Sequence, residues 1–153
     1  MRTSFFEKTL PNAAKPGDLF EDFLAKLLAN RFPGIRGFPP GKDGAIDLVY
    51  EDATGLTVVE AKYIGGTAKP VDRWREVERH LQRHLLEKDK PDKPYGPWLR
   101  TQPPIIAYYF CTTTRFQNQE ARQGLKERIQ TFLAVNTLRL IGKQHRITVK
   151  GNA

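Results

Sequence analysis

The segment GKDGAIDLVYEDATGLTVVEAKY, residues 41–63, constrains the fold more than any other stretch of this chain. Two β-type runs, AIDLVYE and LTVVEAKY, flank the turn-like DATG and read as an antiparallel hairpin. With DATG as the loop, Glu51 stands opposite Leu56 and Val49 opposite Val58. The same ladder carries Asp47 opposite Glu60 and Ala45 opposite Lys62. Alternation along each strand predicts Asp47, Glu60 and Lys62 on one face with Val49 and Val58. Ile46, Leu48, Val59 and Ala61 fall on the other. A slip of one residue would reverse every assignment, so the register is a sharp expectation.

Directly opposed residues have Cβ atoms roughly 4.5–5.5 Å apart, where like charges destabilise a sheet. Two desolvated carboxylates at that spacing must share a proton or hold a cation between them. A hard divalent ion with oxygen ligands, Mg²⁺ or Mn²⁺, supplies that charge. Lys62 lies on the same predicted face, diagonal to Asp47, where an ammonium can orient a water or neutralise a developing oxyanion. The alternative is surface decoration, since edge strands carry charges that discourage pairing with other chains. Val49 and Val58 favour the functional reading, because the face they share with the charges is not simply polar.

The remaining segments predict a mixed sheet flanked by helices. Residues 1–16 read as a lead-in arm. GDLFEDFLAKLLANRF is a helix with Phe20, Phe23, Leu24, Leu27 and Leu28 on its apolar face, ended by Pro33 and Gly34. Asp18 is its expected N-cap, with Glu21 as capping-box partner. IRGF is a candidate short strand. PVDRWREVERHLQRHLLEK is a second helix, with Val71, Trp74, Val77, Leu81 and Leu85 on one stripe. The proline-rich stretch 88–104 is expected as a long loop, whose Tyr95 and Trp98 either stack on a base or anchor it to the core. IIAYYFC reads as a central strand covered on both faces. A third helix follows with Asn118 as candidate cap, then LRLIG as a last short strand and a basic tail. The order α-β-β-β-α-β-α-β implies an α/β fold.

At 153 residues the chain can bury a core without staples and is expected to form one domain. Its single cysteine, Cys111, excludes an internal disulfide and a Cys-rich zinc site. No run has signal-peptide or membrane-span length, so a cytoplasmic location without a membrane partner is expected. Lys and Arg number 25 against 17 Asp and Glu, a net charge of +8 that suggests a polyanionic partner, nucleic acid first and an anionic membrane surface second, with a basic but uninvolved surface as the alternative. His80 and His84 have a spacing suited to zinc but lack a third ligand. Beside Arg73, Arg75, Arg79 and Arg83 they read as a basic helix face able to meet phosphates. There is no Walker-type loop.

The G-x-D-G-x-I-D segment ending on Asp47, then a turn, then V-V-E-A-K, resembles the PD-(D/E)xK nuclease superfamily. The spelling GKDGAIDLV is most similar to its Mrr-type restriction endonuclease branch. IIAYYFCTTTRFQNQEAR resembles that branch's strand, Thr-rich turn and Phe-x-x-x-Glu-Ala helix start. Two departures stand out: Glu60 occupies a position where Mrr-type members often have Gln, and Ala45 precedes Ile46 where Gly is usual.

The resemblance implies a restriction-endonuclease-like core over residues 17–142, with 1–16 as an N-terminal arm and 143–153 as a basic tail or linker to a further domain. It implies an endonuclease that uses Mg²⁺, or Mn²⁺ in its place, with DNA as the expected substrate. Asp47 and Glu60, with the Ala61 carbonyl, would be the metal ligands, and Lys62 the catalytic lysine. Glu21 would be a further catalytic carboxylate, a role that competes with its place in a capping box. Asp43, between Gly41 and Gly44, is expected to shape the loop. Lys42, Arg73, Arg79 and Arg83 are the candidate nucleic-acid contacts. Such modules serve in restriction or anti-phage defence, some joined to an ATPase or sensor, and the same core recurs in junction-resolving and repair nucleases. Double-strand cleavage favours a homodimer or higher oligomer. The rival expectation is a non-catalytic nucleic-acid-binding or interaction module on the same fold.

Overall fold

A five-stranded sheet in the order β1-β2-β3-β4-β5 organises the chain. In this computed structural model, residues 5–37, 46–86, 103–114, 116–141 and 148–150 are described, with 83–86, 136–141 and 150 described by backbone alone. The strands are β1 (Arg36–Gly37), β2 (Leu48–Asp52), β3 (Gly55–Lys62), β4 (Ile105–Thr112) and β5 (Thr148–Lys150). The helices are α1 (Pro16–Leu28), α2 (Pro70–Leu86) and α3 (Gln119–Ile141), preceded by a wide helical turn at Phe5–Thr9. β1, β2 and β3 run antiparallel, while β3, β4 and β5 are parallel. The fold is therefore α/β with a mixed sheet, and its elements follow the expected order. Among the described residues no helix is long and apolar enough to cross a membrane.

The hairpin forms in the expected register: Glu51 pairs with Leu56 and Val49 with Val58. The ladder reaches one pair further, to Asp52 and Gly55, leaving Ala53 and Thr54 as the connection. Asp52 Oδ1 accepts from the Thr54 N–H (2.8 Å), the Thr54 hydroxyl (2.6 Å) and the Gly55 N–H (3.2 Å). Those bonds satisfy the groups a tight turn exposes. Gly55 has φ +147°, and a Cβ there would stand 2.5 Å from the Pro104 carbonyl oxygen. Glycine is needed at this position both for its backbone angle and for the close approach of the chain entering β4.

Each sheet face is covered by helices because both faces of β3 and β4 are apolar. The crossovers β3-α2-β4 and β4-α3-β5 step the same way along the sheet, which puts α2 and α3 on one face. There Val49, Val58, Tyr108, Phe110 and Val149 meet Trp74, Val77, Leu81, Leu125, Ile129 and Leu133. Trp74 is fully buried, with ring centroids 6.2 Å from Tyr108, 5.7 Å from Phe110 and 5.8 Å from Phe132, all edge-on. Each such pair contributes about 0.5–1.5 kcal/mol beyond the area buried. The opposite face carries Leu48, Val59, Tyr109 and Cys111 against Phe20 and Leu24 of α1 and against Leu10. Phe5, Phe6 and Phe23 form an aromatic cluster that ties the N-terminal turn to α1.

Four local expectations are corrected. α1 starts at Pro16 with Lys15 at the N-cap and no side-chain cap, so Asp18 lies inside the first turn and the Asp18–Glu21 capping box does not form. Proline at the first helical position brings its φ already set, which moves the start upstream of Asp18. Leu27, expected on the apolar face, is 48% exposed. Ile46, expected with Leu48, packs instead with Val49, for a reason given below. Of the LRLIG segment, residues 138–141 continue α3 rather than forming a strand, and the last strand is Thr148–Lys150, parallel to β4. The sheet thus takes in three residues of the segment expected as a tail. Val149 is 1% exposed, so burial of a β-branched side chain accompanies the added strand. Asn118 caps α3 as expected, its Oδ1 accepting from the Ala121 N–H at 2.8 Å.

Candidate functional site

The charged residues of the hairpin gather where β2 begins and β3 ends. Alternation along β3 puts Glu60 and Lys62 with Val58 on the face covered by α2, while Val59 and Ala61 face α1. Lys62 Nζ lies 3.2 Å from Glu60 Oε1, with the Glu60 side chain 5% exposed and that of Lys62 33% exposed. A buried carboxylate is thus held by an ammonium that reaches water. In the parallel register Glu60 lies beside Phe110 and Lys62 beside Thr112. The pair therefore sits at the carboxyl end of the parallel strands, where open α/β sheets place ligands.

Asp47 arrives by a different route from the expected one. The last regular pair is Leu48 with Val59, yet the Asp47 N–H donates to the same Val59 carbonyl at 2.7 Å. Two residues of the incoming chain face one on β3, as in a β-bulge. The extra residue reverses the alternation, which is why Ile46 joins the core under α2 and α3. A regular Asp47–Glu60 pair does not form. Instead Asp47 Oδ2 accepts the Ala61 N–H at 2.7 Å, a side-chain acceptor competing with the ladder. The bulge brings the carboxylate against the main chain between Glu60 and Lys62.

The electrostatics follow from this crowding. Burial works to lower the Lys62 pKa, but the Glu60 charge and hydrogen bond, with Asp47 and Glu76, outweigh it and hold the ammonium above the ordinary lysine value. The Tyr108 hydroxyl is pushed well above the usual phenol range, first by burial and then by the charges of Glu60 and Asp47. Just past the site, Thr113 staples the strand ends together. Its hydroxyl oxygen accepts the Ile64 N–H (2.9 Å) and its O–H donates to the Ile64 carbonyl (3.3 Å). Thr112 donates to the Thr114 carbonyl at 3.0 Å.

The other expected residues divide clearly. Glu21 is half-buried on α1, the helix that packs on the opposite sheet face from Glu60 and Lys62. Among the described residues no three His, Cys, Asp or Glu side chains form a group able to hold a metal ion, so Glu21 does not complete a three-carboxylate cluster with Asp47 and Glu60. The same holds for His80. Arg73 is half-buried on α2 and bonded to Glu76, while Arg79 is exposed. Lys42, Asp43, Ala45, Tyr95 and Trp98 lie outside the described residues, as do the side chains of Arg83, His84 and Leu85. Gln82 lines a groove between α2 and α3 with Glu78 and Phe132, where Arg128 bridges to Glu78 at 3.0 Å.

Glu76 and Tyr108 were not singled out from the sequence. The Arg73–Glu76 spacing signals an i,i+3 pair on a helix, but nothing local reveals that the Glu76 charge reaches Lys62. Tyr108 became a neighbour of the carboxylates only through the parallel alignment of β3 with β4. The acidic oxygens gathered here are those of Asp47 and Glu60. These hard oxygens suit Mg²⁺, which keeps several of its own waters and needs few protein ligands. No family model, curated protein or solved structure matches the chain.

Proposed function

We propose that this protein is a divalent-metal-dependent endonuclease on a restriction-endonuclease-like core, with DNA as substrate. The observation that supports this reading is the convergence of Asp47, Glu60, Ala61 and Lys62 at one point of the sheet. The Asp47 carboxylate is fixed on the Ala61 N–H, and the buried Glu60 is fixed on Lys62. A chain that only needed a stable hairpin would gain more from apolar residues at these positions, because burying a carboxylate costs more than its pairing usually returns.

Asp47 and Glu60, with the Ala61 carbonyl, would hold Mg²⁺ or Mn²⁺. The ion would supply a Lewis acid at the scissile phosphate and a more acidic bound water. Lys62 remains an ammonium at neutral pH, so its part is to orient the attacking water and offset charge on the phosphorane oxygens, not to accept a proton. The water oxygen bonds to phosphorus as one P–O ester bond breaks; the attacking water gives a proton to solvent, and the departing oxygen takes one from solvent to leave as an alcohol. Arg73 and Arg79 on α2 would meet backbone phosphates, with Lys42 and Arg83 as further contacts. A role in restriction or anti-phage defence, alone, as a homodimer or joined to an ATPase or sensor, is the setting such an activity fits. Mg²⁺-dependent nicking of supercoiled plasmid, stopped by a chelator and absent from Asp47→Ala, tests the reading. Full activity in Asp47→Ala would end it.

One observation favours a second reading, a non-catalytic nucleic-acid-binding module. Glu60 is already paired with Lys62, and no third acidic or imidazole ligand joins the carboxylates among the described residues. DNA binding that is indifferent to chelator, with no cleavage, would select it.

A further inference from the structure

Arg73 on α2 is held in an incompletely satisfied position. Its NH1 donates to both oxygens of Glu76, at 2.9 and 3.2 Å, one helical turn away. Its Nε–H is buried and meets no acceptor among the described residues. A guanidinium is most stable when two of its N–H groups engage two oxygens on one central atom, as carboxylates and phosphates allow. A buried donor left without an acceptor carries a penalty that a better-placed ligand can remove.

The position of this pair matters. Trp74, the next residue, packs edge-on against Phe110, the β4 neighbour of Glu60. Glu76 also lies close enough to Lys62 for its charge to act there. Its side chain is 48% exposed and that of Arg73 is 32% exposed, so the pair can be reached from solvent. Half-exposed pairs of this kind are weak and screened by salt, which makes Glu76 an easily displaced partner.

We propose that Glu76 is an internal stand-in for a phosphodiester, holding Arg73 on α2 until a backbone phosphate of nucleic acid takes its place. This inference rests on the nuclease reading. On phosphate arrival, Arg73 exchanges a carboxylate for an anion that accepts two of its N–H groups, and Glu76 turns to water. Glu76 therefore opposes binding through Arg73, and it excludes weaker anions from the guanidinium. Removing the carboxylate frees the guanidinium in advance.

The test is a double-mutant cycle of wild type, Glu76→Gln, Arg73→Gln and the double variant, binding a short DNA duplex with Ca²⁺ in place of Mg²⁺ to prevent turnover. Glu76→Gln is expected to tighten binding about two- to fivefold, the strength of an exposed ion pair, and to have no effect in the Arg73→Gln background. Equal tightening in both backgrounds would make Glu76 merely one negative charge among several and overturn the inference, as would no tightening in either. If Arg73→Gln fails to fold, Arg73→Lys takes its place, because it keeps the charge without the planar fork, and the Glu76 effect should shrink in it. Wild type that cuts DNA while the cycle shows no coupling leaves the nuclease reading standing and refutes only the stand-in role. Wild type that neither binds nor cuts removes both.

Discussion

Replacing Lys62 by methionine withdraws the ammonium from a carboxylate that is almost wholly buried. At the observed 3.2 Å separation the Coulomb attraction is about 5 kcal/mol at an effective dielectric constant of 20. Deleting one partner of a fully buried pair costs roughly 3–5 kcal/mol, most of it the stranded charge. Lys62 is one-third exposed, so water already screens the pair. The expected loss for Lys62→Met is therefore about 2–3 kcal/mol. Glu60→Gln/Lys62→Met removes both charges and should recover stability to within about 1 kcal/mol of wild type. Urea unfolding in metal-free buffer reads all three proteins. The pH dependence carries a sign as well. In wild type the raised Lys62 pKa works at the alkaline end. That stability is present below the ordinary value of 10.5 and is lost as pH climbs through the raised one, a loss Lys62→Met should not show. Equal urea midpoints for wild type and Lys62→Met at pH 7 would refute the dependence of Glu60 on this cation.

Gly55→Ala puts a Cβ 2.5 Å from the Pro104 carbonyl at φ +147°, and should cost about 2 kcal/mol or more in the same urea assay, enough to loosen the register that positions Glu60. Burial pushes the Cys111 thiol up to about 12, so an aromatic disulfide reagent at pH 8 should leave the native protein unlabelled and react fully once urea unfolds it. Rapid native labelling would place Cys111 outside the core.

Local chemistry carried the hairpin. DATG supplies a turn whose Asp and Gly satisfy and permit it, and alternating Val and Leu leave one register that buries both strands. For the same reason Glu60 and Lys62 were legible as neighbours on one face: residues two apart on a strand share a side whatever surrounds them. The interior apolar run of β4 announced a strand covered on both faces, and the helical stripe of Trp74, Val77 and Leu81 announced the helix that covers one of them. Asp47 was legible as a site residue but not in its manner of arrival. A regular ladder would put it opposite Glu60, whereas a competing bond to the Ala61 N–H makes a bulge and turns Ile46 to the other face. Such competition depends on what the approaching chain packs against, which periodicity does not encode. The placement of α1 on the face away from Glu60 and the joining of Tyr108 to the carboxylates across a parallel pair are decisions of the same kind. Each brings together groups far apart in the chain. Their meeting is set by which crossover covers which face of the sheet, and no local pattern of residues specifies that.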